Sequence, residues 1–73
     1  MTATIAATIR VNGETRPWQD QTVGDLLMAE GIGLNQGGLA VALNEHVVPR
    51  SAWAGTRLKP EDNVEIVHIV RGG

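Results

Sequence analysis

At 73 residues with 42% hydrophobic side chains, the chain is expected to hold one domain around a single modest core. A formal net charge of -2 and the lack of any basic run exclude the electrostatic footprint of a nucleic-acid or anionic-membrane binder, so its partners are expected to be proteins. No cysteine is present, which excludes disulfides, a thiolate metal site, a cysteine nucleophile and a side-chain persulfide. The opening Met1-Thr2-Ala3-Thr4 has neither the basic start nor the long apolar run of a signal peptide, and a cytoplasmic location is expected.

From Ile5 to Val11 the apolar Ile5, Ala7, Ile9 and Val11 alternate with Ala6, Thr8 and Arg10, the period of a half-buried strand. Asn12-Gly13 supplies the positive φ angles of a two-residue hairpin turn, so Glu14 to Trp18 returns antiparallel, with Pro17 placing it at a sheet edge. Thr22 caps a helix, with Asp25 completing a capping box. Val23, Leu26 and Leu27 form its apolar stripe, and Gly31 stops it. Leu34 to Gly38 reads as a loop.

A strand from Leu39 to Leu43 turns Leu39, Val41 and Leu43 to the core and the small Ala40 and Ala42 to the other face. Asn44-Glu45-His46 reads as a turn, Val47-Val48 as a very short strand ended by Pro49, and Arg50 to Trp53 as one helical turn that tucks Trp53 under the sheet. Lys59 to Asn63 is the last turn. Val64 to Val70, rich in β-branched residues, is the strongest strand.

This order predicts an α+β fold of the β-grasp type, with about five strands in a mixed sheet and one main helix across one face. The crossover lets the last strand lie centrally, parallel to the first, and aim its C-terminus off the sheet. The expected organisation is one domain over residues 1–73, with 71–73 as a flexible tail, monomeric when free.

Elimination argues against an enzyme. His46 and His68 lack ligand spacing, and Asp20, Asp25, Glu30 and Glu61-Asp62 fall in caps, turns and a helix face, so no metal or acid-base site is expected. Gly37-Gly38 lacks the lysine and hydroxyl of a phosphate loop, and Gly31-Ile32-Gly33 completes no dinucleotide motif, so no cofactor is expected. Gly72-Gly73 remains. Two residues without Cβ keep a tail thin enough for a narrow channel, where a partner could bring ATP against the carboxylate of Gly73. A polar, inert end is the plain alternative, but here only Arg71 separates the glycines from the last strand. Arg71 either pairs with an acid on the partner or is solvated.

On the outer face, Ala40 and Ala42 are expected to neighbour Val67 and Ile69 in a flat apolar patch, a docking surface that would raise the effective concentration of the tail at a partner's site. Ordinary exposed apolar surface is the competing reading. Beyond Val67 strand parity leaves the face of His68 open.

The stretches Val11-Asn12-Gly13-Glu14, Thr22-Val23 with Leu26-Leu27, Val41-Ala42-Leu43-Asn44, Val47-Val48-Pro49-Arg50 with Trp53, and Asp62 with Val64-Glu65-Ile66-Val67 and Gly72-Gly73 resemble the ThiS family. These are ubiquitin-like sulfur carriers of thiamine biosynthesis. The resemblance spans nearly the whole chain. It implies that a ThiF-like adenylyltransferase, similar to ubiquitin-activating enzymes, joins AMP to the Gly73 carboxylate. A desulfurase or sulfurtransferase then makes a thiocarboxylate, and a ThiG-like thiazole synthase takes the sulfur. The chain departs from the family in a longer lead before Ile9, the loop glycines Gly37-Gly38, and Glu61 where glycine is common before the aspartate. Rival readings are a carrier for molybdopterin, cysteine or tRNA thiolation, a ubiquitin-like modifier of lysines, and a noncovalent binding module.

Overall fold

The computed structural model describes residues 6–32 and 38–68. Five strands and one α-helix follow in the order β1 (Thr8–Val11), β2 (Glu14–Pro17), α1 (Val23–Ala29), β3 (Leu39–Leu43), β4 (His46–Val48), a 3₁₀ helix (Arg50–Gly55) and β5 (Asn63–His68). The strands form one sheet in the spatial order β2-β1-β5-β3-β4. Only β1 and β5 run parallel; the other pairs are antiparallel. The last strand is therefore central and the hairpin return lies at an edge, as a β-grasp sheet requires.

Local chemistry explains the element ends. Asn12 and Gly13 have φ of 52° and 81°, the two positive values of a type I′ turn, and Val11 pairs with Glu14 across it. The helix opens on a reciprocal box: Thr22 Oγ1 accepts from the Asp25 N–H, and Asp25 Oδ2 accepts from the Thr22 N–H, both at 3.1 Å. It closes at Gly31, φ 79°, where the Gly31 N–H donates to the Met28 carbonyl and the Ile32 N–H to the Leu27 carbonyl. That pair of bonds is a Schellman motif, which caps the last carbonyls of the helix.

Five boundaries differ from those expected, two of them at β2, which ends at Pro17 rather than Trp18, and at the 3₁₀ helix, which runs on to Gly55 rather than ending at Trp53. β1 begins at Thr8, not Ile5: Ala6 and Ala7 lie outside the strand, and Ala7 keeps one bond, from the Trp18 N–H to its carbonyl. His46 belongs to β4, because the turn closes within Asn44 (φ 50°) and Glu45 (φ 72°), so Leu43 already pairs with His46. β5 starts one residue early, at Asn63. The expected loop at 34–38 and the end of the last strand at Ile69 and Val70 fall outside the described residues, apart from Gly38.

The core lies between the helix-bearing face of the sheet, α1 and the 3₁₀ helix. Ile9, Val41, Val64 and Ile66 of the strands meet Val23, Leu26 and Leu27 of the helix. Each buried aliphatic side chain contributes about 1.5–3 kcal/mol. Trp53 is 3% exposed, donates from Nε1 to the Val48 carbonyl at 2.9 Å, and carries the Arg50 guanidinium 4.8 Å from its ring centroid. Leu58, not expected in the core, is also buried; its carbonyl accepts from Trp18 Nε1 at 2.8 Å.

Candidate functional site

Strand register assigns each β5 side chain to a face. Val64 and Ile66 pair with Leu43 and Val41 and point into the core. His68 pairs with Leu39 and so shares the helix-bearing face, although it is exposed, which settles the face left open by sequence parity. Glu65 and Val67 take the outer face.

The outer face divides into two halves. Ala40 pairs with Val67, while Ala42 sits between Val47 of β4 and Glu65 of β5. Of the two alanines expected beside Val67, Ala40 lies directly opposite it and Ala42 on the diagonal, with Glu65 opposite Ala42. Val47, absent from the expected patch, is 76% exposed and Val67 52%. Val47 and Val67 lie on the same face of the sheet, in neighbouring rows on either side of β3, and exposed apolar side chains gathered on one face make that surface a candidate contact. Val47 was legible: once Val48 is assigned inward, its neighbour must point out.

The other half is polar. Arg10, Asn12, Gly13, Asn63 and Glu65 line an open concavity of about 410 Å³ beside the apolar patch. A cation and a carboxylate share it, so its charge is mixed.

Ile69, Arg71, Gly72 and Gly73 lie outside the described residues. What is described is the base from which they follow: β5, buried on one face and flanked by β1 and β3.

Several other ionisable groups are engaged in contacts within the fold. His46 Nδ1 lies 3.0 Å from the Asn44 carbonyl oxygen. Asp25 is engaged in the helix cap, and Arg57 pairs with Asp20 at 2.9 Å. Arg16 bridges Glu30 and Glu14, and these hydrogen bonds, that to Glu30 foremost, raise its pKa above the usual arginine value. Asp62 is 8% exposed and fully engaged: Oδ1 accepts from Asn44 Nδ2 at 3.0 Å and Oδ2 from the Lys59 N–H at 2.7 Å. Among the described residues no three His, Asp or Glu side chains gather as metal ligands, and no helix is long and apolar enough to cross a membrane.

Comparison with known proteins agrees with this geometry. The model of the ThiS family matches residues 9–73. The chain is 36% identical over 53 residues to the sulfur carrier protein ThiS of Escherichia coli (strain K12), covering 73% of this chain and 77% of that protein. The crystal structure of the thiamine biosynthesis protein ThiS from Geobacter metallireducens superposes with a TM-score of 0.75 at 29% identity, covering 90% of this chain and 99% of that one. A solution structure of a thiamine biosynthesis protein from the same organism gives 0.71 at 29% identity, covering 90% and 87%. The match begins at Ile9, one residue into β1, and leaves the longer N-terminal lead outside it. With a mixed five-stranded sheet and a capped helix among the described residues, and a family match over residues 9–73, this chain belongs to the ThiS family.

Proposed function

We propose that the chain is a sulfur carrier of thiamine biosynthesis and that the Gly73 carboxylate is its reactive group. The observation that carries this reading is the family match, which extends through Gly72-Gly73. The curated relative, named a sulfur carrier protein, supports it. The chain itself is a co-substrate, and partner enzymes supply the catalysis.

The chemistry follows from the carboxylate's poor reactivity. Gly73 needs a leaving group, and a ThiF-like adenylyltransferase provides one: a carboxylate oxygen attacks the α-phosphorus of ATP, pyrophosphate departs, and an acyl adenylate forms. Sulfur at the sulfide level, delivered by a desulfurase or sulfurtransferase, then attacks the acyl carbon. AMP leaves with the electrons of the broken carbon–oxygen bond, and the product is a thiocarboxylate. Its sulfur is a better nucleophile than the oxygen it replaces and passes to a ThiG-like thiazole synthase.

The chain's contribution is positioning. Val67, Ala40, Ala42 and Val47, together with Ile69, dock on the partner, while Arg71 and Gly72 lead Gly73 into the partner's site. Intact-mass measurement after incubation with ATP, the activating enzyme and a sulfide source tests this. Exchange of one oxygen for one sulfur is expected; an unchanged mass, or isopeptide attachment to lysines of other proteins, contradicts it.

A further inference from the structure

β5 is held unequally on its two flanks. β3 pairs with it from Val64 to His68, whereas β1 pairs with it only at Arg10↔Asn63 and Val11↔Val64. The β1 side stops there because the chain turns away at Asn12-Gly13. Up to that point the bonds are those of a parallel ladder: the Arg10 N–H donates to the Asp62 carbonyl and the Asn12 N–H to the Val64 carbonyl, both at 2.9 Å. The next rung calls for an acceptor to take the Ile66 N–H.

Asn12 supplies that acceptor from its side chain. Its Oδ1 accepts from the Ile66 N–H at 2.7 Å, joining residues 54 apart in sequence. One asparagine therefore does two jobs: it adopts the positive φ of the hairpin turn and adds a rung to the central ladder beyond the end of β1.

We infer that Asn12 is a positioning residue for sulfur loading: its Oδ1 fixes the distal half of β5 at Ile66, and so fixes the base from which Gly73 is presented. This rests on the carrier reading above. Among the described residues, Val67 and His68 follow Ile66 with β3 alone as a paired strand. Without the added rung, local opening of this segment becomes easier, as for any strand end paired on a single side. A reaction that needs the acyl carbon in line with ATP is sensitive to displacements of about 1 Å, so a loosened base lowers the rate of the bound complex. Val67 and the docking patch keep their composition, so the change falls mainly on kcat.

Two substitutions separate positioning from simple stability. Asn12→Gly keeps the left-handed turn and removes the acceptor; Asn12→Asp keeps both. Thiocarboxylate formation is followed with purified activating enzyme, ATP and sulfide, at a temperature where all three proteins are folded by circular dichroism. Asn12→Gly is expected to lower kcat several-fold with KM little changed and to speed hydrogen exchange at the Ile66 amide. Asn12→Asp should restore both to the parent's values. A kcat for Asn12→Gly equal to the parent's, or an Asn12→Asp protein as slow as Asn12→Gly, overturns the inference. Failure of the carrier reading looks different, since the parent chain itself then acquires no sulfur.

Discussion

Asn44 bridges two turns through its own side chain: Nδ2 donates to Asp62 Oδ1 at 3.0 Å, and Oδ1 accepts from the Asn63 N–H at 2.9 Å. The β3–β4 turn is thereby tied to the residues that start β5. Asn44→Ala leaves the buried Asp62 carboxylate without one of its two donors and places a Cβ-bearing residue without a compensating side chain at φ 50°. A loss of about 1–3 kcal/mol is expected from the hydrogen bonds and about 1 kcal/mol more from the backbone. Asn44→Gly, which removes only the first contribution, should fall between the two in urea unfolding.

Glu61 sits third in the turn Lys59-Pro60-Glu61-Asp62, which the Asp62 N–H closes on the Lys59 carbonyl at 3.1 Å. Its φ is 73°, the left-handed region that a turn with proline second and glycine third uses. Here the chain carries glutamate instead and holds it by a bond from its N–H to the Thr8 carbonyl. Glu61→Gly relieves about 1–2 kcal/mol of strain against an entropic cost of about 0.5–1 kcal/mol. A net gain of about 0.5–1 kcal/mol is expected, read as a higher urea midpoint at unchanged slope.

Val67 lies on the outer face opposite Ala40 and is half exposed, so a lysine there reaches water without strain. Stability should change by less than about 0.5 kcal/mol. If the outer face docks the activating enzyme, Val67→Lys raises the KM for that enzyme at least several-fold while kcat at saturation is retained. A KM unchanged from the parent's removes Val67 from the docking surface.

The fold was legible where its determinants are local or periodic. Asn12-Gly13, Thr22 with Asp25, and Gly31 each specify a backbone conformation within four residues, and the structure places all of them in the expected roles. The central position of β5 followed from its β-branched run and the crossover. Leu58 was missed because it stands alone between Arg57 and Lys59, where no period marks it; a bond from its N–H to the Gln21 carbonyl holds it in place. Side-chain bonds across long loops were equally hidden, since nothing near Asn12 names Ile66 and nothing near Asn44 names Asp62. The outward face of Ala40, Ala42 and Val67 was legible by parity, but not their pairing, which register alone decides: Ala42 meets Glu65 and Val47.

Locating the sulfur tests the central claim most directly. The full chain and a chain lacking Gly73 are incubated side by side with activating enzyme, ATP and sulfide, and the products are fragmented in the mass spectrometer. The full chain should carry one sulfur in place of one oxygen in the fragment ending at Gly73, and the shortened chain should keep its mass and its unfolding midpoint. Sulfur acquired by the shortened chain, or found on any other residue of the full one, would contradict the account.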